Sequence, residues 1–394
     1  MNKKPLVLFY NFTAKMGGAE IVLLEFLKKS SKNLKYKVVL NEYGDFYNQL
    51  VKHQIDVDVI STNTNIFYSI KRESSISIQL LKSIPYSLML LNSFLSYLRK
   101  NKADLIVSNT FKSHIIAGIC ATIVGNNVAW RFHDIIQREY TSHYFSWVNI
   151  FLMRIFSLKV LKIIGVSQAV VNSFKKFGFQ RSKLSVVHNG LEIKKINSDY
   201  LINKNNNNIK IGWIGRFTPW KGIEQFINCA KMLIEQKEKI DKNFEFIIGG
   251  SALFEESDYE LKIKKSIPEP IKKYFTFLGH IKDIDIFYNQ IDIYFHTSIA
   301  PDPFPTTVLE AGHRGLIVFA SNKGGAKEII KENKTGFLID ISNLDAIVEK
   351  SIIVMNNLEI NKKKGRSLYT MLINNFSSKN YCENLEYQFL KIMA

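Results

Sequence analysis

Short apolar runs rich in β-branched and aromatic residues recur along the chain, at Leu6–Phe9, Lys37–Leu40, Leu105–Val107, Ile163–Val166, Ile211–Ile214, Phe246–Ile248, Ile293–Phe295 and Ile317–Ala320. Between them lie segments whose apolar positions repeat at the spacing of a helix with one buried face. Strands that are apolar throughout are buried on both faces, and strands separated by helices make parallel sheets covered on both sides. The pattern therefore predicts an α/β fold. It breaks once, at Asn203–Asn208 (NKNNNN), a polar, low-complexity stretch just before a new strand-helix series starts at Ile209. With 394 residues there is chain enough for two cores of similar size, so domains are expected over 1–202 and 209–376, joined by a linker over 203–208. After a Ser-Ser start, Tyr381, Leu385 and Phe389 stand at helical spacing and predict a docking helix over 377–394.

Composition narrows the class. The chain is 46% apolar and 22% charged, as in a folded soluble protein, which sets disorder aside. Its 53 Lys and Arg against 35 Asp and Glu leave a formal charge of +18, which attracts phosphorylated small molecules, anionic lipid or polyanions without choosing among them. Cys120, Cys229 and Cys382 are odd in number and far apart. They suggest neither disulfides nor a zinc site, and fit a reducing cytoplasm. MNKKPLVLFYNF carries too short an apolar run for a secretory leader and no small-residue cleavage site, so it reads as the first strand. Nowhere does the chain approach the ~18 uncharged apolar residues of a spanning helix, and it is not expected to cross a membrane.

The most informative segment is Ile211-Gly-Trp-Ile-Gly-Arg-Phe-Thr-Pro-Trp-Lys-Gly-Ile, a strand running through a glycine-punctuated loop into an amphipathic helix with Phe226, Ala230 and Leu233. Ligands of open α/β sheets bind at such carboxyl ends of strands. A guanidinium at Arg216 and an ammonium at Lys221 can bridge diphosphate oxygens and neutralise a departing nucleoside diphosphate, although alone they read equally well as solvated loop cations. Downstream, Thr297-Ser-Ile-Ala-Pro-Asp-Pro-Phe-Pro-Thr-Thr-Val-Leu-Glu-Ala is a strand end, a Pro-rich loop and a helix beginning near Thr306. The helix start offers unpaired amides to an anion, Glu310 can accept from a ribose diol, and Asp302 lies on the loop before it. Gly315-Leu-Ile-Val-Phe-Ala-Ser and Gly324-Gly-Ala-Lys-Glu-Ile-Ile follow.

In that order, G-R-x4-K-G, P-D-P-F-P-x3-L-E-A, G-G-x2-E-I-I and Thr335-Gly-Phe-Leu resemble the retaining glycosyltransferases of the GT-B fold, the family that includes sucrose synthase and many bacterial capsule and lipopolysaccharide transferases. The resemblance spans most of the C-terminal half. It implies two Rossmann-like domains whose parallel sheets face a cleft, an N-terminal one for the acceptor and a C-terminal one for the donor, with the last helix docking back on the N-domain. It also implies transfer from a UDP- or GDP-sugar to a glycan or lipid-linked hydroxyl, with retention, in the synthesis of surface polysaccharide, lipopolysaccharide or glycolipid. Carried over, Arg216 and Lys221 hold the diphosphate and Glu310 the ribose. Asp302 meets the donor sugar as the first acid of the family's E-x7-E signature. Phe304, Thr306, Thr307 and Val308 line the donor, partly through backbone amides, and a backbone edge near Gly279–Ile281 reads the base. Glu328 stands behind these. Two departures touch the sugar end: Asp302 is one methylene shorter than the usual Glu, and Pro305, which offers no N–H, stands where Gly is common.

In the first half, Gly17 and Gly18 open a helix with Ile21, Leu24 and Leu27, and Met16-Gly-Gly-Ala-Glu reads either as an ordinary tight turn or, by resemblance, as the element that faces the donor phosphates, with Glu20. His133 follows an apolar strand in Ala129-Trp-Arg-Phe-His-Asp. On general grounds it is a structural histidine; by resemblance it approaches the donor sugar. Arg131, Asp134, Gly165-Val-Ser167 and Asn189-Gly190 are further candidates. No cofactor or metal is expected, because Asp56-Val-Asp58 and Asp283-Ile-Asp285 lie away from the diphosphate elements. Residues 79–102 and 144–164 combine large apolar residues with Lys or Arg and contain no acid. They suit either an anionic membrane surface or packed helices with snorkelling basic ends. A dehydrogenase is disfavoured by the absence of G-x-G-x-x-G after the first strand, and nucleic acid by the absence of any recognised binding motif. A sugar-nucleotide epimerase, or a basic membrane-binding protein of degenerate GT-B fold, stays open as an alternative.

Overall fold

Val7, Leu8, Phe9 and Tyr10 in succession are fully buried, as a strand covered on both faces requires. They form the centre of a sheet in the computed structural model, which describes residues 4–31, 33–60, 76–136, 143–192, 208–252 and 257–394. The chain divides into two compact units, Met1–Gly190 together with Ser378–Ala394, and Leu191–Ser377. Both are α/β.

The first unit is built on strands β1 (Leu6–Asn11), β2 (Lys35–Leu40), β3 (Val57–Val59), β4 (Leu105–Ser108), β5 (Val128–Phe132), β6 (Lys162–Gly165) and β7 (Leu184–Val186). All pair in parallel in the order β3-β2-β1-β4-β5-β6-β7. Strand order reverses between β1 and β4, the place where open sheets accept ligands. Its helices are α1 (Gly18–Lys29), α2 (Asp45–Lys52), α3 (Ile76–Lys100), α4 (Phe111–Val124), α5 (His143–Ser157) and α6 (Gln168–Lys176).

In the second unit β8 (Asn208–Ile214), β9 (Asn243–Gly249), β10 (Phe275–Gly279), β11 (Ile293–His296), β12 (Ile317–Ser321) and β13 (Phe337–Ile339) pair in the order β10-β9-β8-β11-β12-β13, again in parallel, with the reversal between β8 and β11. Helices α7 (Ile223–Glu235), α8 (Ser257–Lys265), α9 (Ile284–Tyr288), α10 (Thr306–Gly312), α11 (Ala326–Ile329), α12 (Leu344–Asn356) and α13 (Leu358–Asn375) accompany them. The expected linker falls on residues 203–207, outside the described ones, and Asn208 already belongs to β8. The contacts divide the units after Gly190, where Leu191 bridges Ser377 and its N–H donates to Phe376 O at 3.3 Å, and residues 193–202 of the expected first domain lie outside the described ones.

Helix α14 (Ser378–Met393) returns to the first unit, as the apolar spacing predicted. Tyr381, Leu385 and Phe389 are buried there, and the Phe389 ring stands edge-on to Phe9 at 5.8 Å and to Phe26 at 6.0 Å. Glu386 fixes the register, accepting from Ser31 N at 2.6 Å and from the Tyr36 hydroxyl at 2.9 Å. The two basic apolar segments differ. Helix α3 turns Tyr86, Leu90, Phe94 and Leu98 inward, with Phe94 stacked on Tyr10 at 3.9 Å, so from Tyr86 onward it is a packed helix. Helix α5 buries Ile150 and Met153 but leaves Phe151 and Ile155 exposed, followed by exposed Leu158 and Leu161. Phe389→Ala, which empties an aromatic cluster, is expected to cost about 3–5 kcal/mol in urea unfolding followed by circular dichroism.

Candidate active site

From β8 the chain passes through Gly215-Arg216-Phe217-Thr218, makes a single 3-10 turn at Pro219–Lys221 and enters α7. Between turn and helix stands Gly222 with φ 73°, where a Cβ would sit 1.9 Å from Thr297 O. Only glycine admits that approach. Thr297 seals it: its hydroxyl donates to Gly222 O at 2.6 Å and accepts from Trp213 Nε1 at 3.1 Å. Ile299 N donates to Trp220 O at 2.8 Å, so the loops after β8 and β11 are tied together.

This closure brings Lys221 onto Asp302, with Nζ 2.7 Å from Oδ2 and 4.2 Å from the centre of the Trp220 ring. His296, the last residue of β11, holds the same oxygen at 3.5 Å, and Ser298 Oγ lies 3.1 Å from its Nε2. Burial pulls the Asp302 pKa upward, but the Lys221 ammonium and His296 outweigh it and hold the carboxyl well below the usual range. A carboxylate only 6% exposed therefore stays ionised. Asp302 O accepts from Gly325 N at 2.8 Å, and a Cβ on Gly324 (φ 65°) would meet that oxygen at 2.1 Å. The diglycine is thus the bed on which the Asp302 loop lies. Glu328 is half-buried on α11 behind it.

Glu310, on α10, is held separately. The Tyr288 hydroxyl lies 2.8 Å from its Oε2 and 3.1 Å from Thr307 O. Arg314 Nη1 donates to Glu310 O at 2.7 Å while the guanidinium covers the Tyr288 ring at 4.6 Å and pairs with Asp285. Burial raises the Glu310 pKa against the pull of Tyr288 and Arg314. Both carboxylates act on the buried Tyr294, whose pKa burial raises and Glu310 and Asp302 raise further. Arg216 is exposed on the β8 loop. Phe304 and Val308 bury their side chains, Phe304 against Phe376 at 5.4 Å, which leaves only their backbone to meet a ligand. Thr306 and Thr307 are half-buried at the start of α10, after a buried Pro305. Ile281 packs its Cδ1 over Gly249 at the end of β9.

In the first unit the strand ends carry a chain of amide, imidazole and carboxyl groups. Asn11 Nδ2 lies 2.7 Å from Thr13 O and 3.0 Å from Glu20 Oε1, Asn109 Nδ2 lies 3.3 Å from Asn11 Oδ1, and His133 Nε2 lies 2.9 Å from Asn109 Oδ1. Gly17 caps α1 and Gly18 begins it, with nothing within 4 Å of a Cβ placed on Gly18. Glu20 turns inward to Asn11 rather than outward to solvent. Arg131 is wholly buried, bonded to Asn189 Oδ1 at 2.7 Å and stacked on Tyr381 at 4.9 Å. Ser167 caps α6 through Val170 N, Gly165 closes β6 against Val171, and Asp134 is exposed. Both Asp-x-Asp strings have structural work: Asp58 binds Lys37 and the Tyr97 hydroxyl, Asp283 caps α9, and Asp285 pairs with Arg314. Sequence reading missed His296, Asn11 and Asn109. Each is a polar residue closing or directly following an apolar strand, and that was the available signal.

The profile of the family described as glycosyl transferases group 1 matches residues 197–369, and that of glycosyltransferase family 4 matches residues 44–195. An Escherichia coli protein named UDP-Gal:alpha-D-GlcNAc-diphosphoundecaprenol alpha-1,3-galactosyltransferase is 24% identical over 68% of this chain and 70% of its own. The Staphylococcus aureus capsular polysaccharide biosynthesis glycosyltransferase CapM is 24% identical over 86% of this chain and 90% of its own. In fold, the chain is similar to Anabaena HepE, solved in complex with UDP and glucose, with a TM-score of 0.78 and 24% identity over 97% of this chain and 98% of that one.

Since the folded state depresses the Asp302 pKa, its contribution to stability is present above the unfolded carboxylate value of about 4 and fades as pH falls through the folded one. Lys221→Met leaves that carboxylate buried with His296 alone. It is expected to cost about 2–4 kcal/mol at neutral pH in urea unfolding, less than a fully buried pair because Lys221 keeps some solvent contact. Adding Asp302→Asn should recover most of the loss.

Proposed function

Because this chain belongs to the GT-B glycosyltransferases, a family 4 domain followed by a group 1 domain, we propose that it transfers a sugar from a nucleoside diphosphate donor to a lipid-linked glycan hydroxyl with retention. The observation that carries the donor half is the Lys221–Asp302–His296 cluster at the β8/β11 reversal, with Arg216 exposed on the same loop. In this reading the acceptor oxygen bonds to the anomeric carbon as the bond from that carbon to the diphosphate breaks. The acceptor proton and the nucleoside diphosphate are the species that leave. Lys221 and Arg216 take up the charge developing on the diphosphate, the kind of preorganised stabilisation that supplies a large share of catalysis. Asp302, ionised and fixed, receives hydroxyls of the donor sugar, and Glu310 those of the ribose. With two cations assigned to the leaving group, no metal is required, and transfer is expected to survive EDTA.

The acceptor half draws on the E. coli relative, whose name specifies a diphosphoundecaprenol substrate, and on a surface of the first unit. From Tyr140 through Leu191 the chain has no Asp or Glu and seven Lys and Arg. Exposed Phe151, Ile155, Leu158 and Leu161 lie among Arg154, Lys159 and Lys162 in the sequence, an apolar stretch interleaved with basic residues. That combination suits the interface of an anionic bilayer. Among the described residues no helix is long and apolar enough to cross one.

Titration with UDP, GDP and ADP is expected to show binding of at least one of them, weakened tenfold or more by Lys221→Met or Arg216→Met; binding of none would sink the donor reading. In sedimentation with phosphatidylglycerol vesicles the wild type should be retained, and Phe151→Glu with Leu158→Glu should release it while leaving nucleotide affinity unchanged.

A further inference from the structure

Four side chains link the ends of β1, β4 and β5, and one backbone carbonyl sets the direction of every hydrogen bond among them. Thr13 O can only accept, so the end of the Asn11 amide 2.7 Å away is nitrogen, whose second hydrogen goes to Glu20 Oε1 at 3.0 Å. Asn11 Oδ1 therefore faces Asn109 and takes the hydrogen of its Nδ2 at 3.3 Å. What Asn109 turns to His133 is then Oδ1, 2.9 Å from Nε2, and an amide oxygen cannot donate. The proton on Nε2 is obligatory. Burial, reinforced by the neighbouring Arg131 and His114, holds the His133 pKa well below its ordinary value, so at neutral pH the ring carries that one proton. Nδ1 keeps its lone pair and has no partner among the described residues.

We propose that Asn11 and Asn109 are positioning residues that lock His133 in the Nε2-protonated tautomer, making Nδ1 a standing acceptor for a hydroxyl of the sugar substrate and denying His133 the role of proton donor. The lock is cooperative. Turning the Asn109 amide sets its oxygen against Asn11 Oδ1, and turning Asn11 as well sets an oxygen against Thr13 O. With both asparagines buried, each such clash carries the penalty of an unsatisfied polar group. The identity of the hydroxyl as a sugar's rests on the transferase reading; the tautomer does not.

Selective 15N-histidine labelling of the full chain tests this, with His133→Gln identifying the resonances. In the wild type Nε2 should be protonated and Nδ1 not, unchanged between roughly pH 5.5 and 8, where an ordinary histidine titrates. Asn11→Leu removes the anchor, and a second tautomer should appear. Asn109→Asp replaces the amide by a carboxylate, keeps Nε2–H and brings His133 into titration within that window. Glu20→Gln keeps an oxygen opposite Asn11 and the Thr13 anchor, and should change nothing. A protonated Nδ1 in the wild type, an ordinary titration, or an Asn11→Leu protein that is folded by circular dichroism yet keeps one tautomer overturns the lock. For the hydroxyl, UDP-glucose, UDP-galactose and GDP-mannose are the probes: one that binds should move Nδ1 upfield where UDP or GDP alone does not. Equal movement with the bare nucleotide, or none with any nucleotide sugar that binds, overturns that part. Failure of every nucleotide to bind removes the transferase reading and leaves the tautomer result standing.

Discussion

Lys221 and Asp302 are 81 residues apart in sequence and meet at 2.7 Å. A carboxylate that deep must find a cation, since a lone buried charge costs several kcal/mol. The requirement shapes everything nearby. It draws the loop after β11 back over the loop after β8, which is possible only because Gly222 leaves room for Thr297 O and because Gly324 and Gly325 lie flat beneath Asp302. It also places a histidine at the end of β11 as second partner. The two loops are thus fixed by the protein's own contacts, with the Asp302 carboxylate held by Lys221 and His296.

The first unit arranges its buried polar groups differently. At its strand reversal two amides and an imidazole are linked in a chain, with Glu20 buried at its far end. Hydrogen-bond direction takes the place of charge there: a carboxylate and an ammonium need only proximity, whereas amides must be oriented.

How much of this was legible follows from where each signal resides. Strands buried on both faces are continuous apolar runs, so β1, β4, β9 and β12 stood out, while β13, three residues long, and β10, half-buried at the sheet edge, did not. The residue types mark Lys221 and Asp302 as chemistry-bearing, but their pairing is not legible, because no spacing rule says that two loops 81 residues apart touch. Which way the Phe304 side chain turns is not legible either, because it depends on a neighbour remote in sequence, Phe376. Composition could not separate α3 from α5 either. Both are basic and apolar, and what distinguishes them is that Tyr10 lies waiting for Phe94, a partner remote in sequence.

Helix α14 carries a consequence for how the protein is made. Its Cys382 meets Phe26 O across 356 residues, and the aromatic cluster of Phe9, Phe26 and Phe389 is complete only when both segments are present. A ribosome delivers Phe9 and Phe26 long before Phe389, so the first unit must wait, with apolar surface uncovered, while the whole second unit is synthesised and folds. The unit translated first is the one finished last.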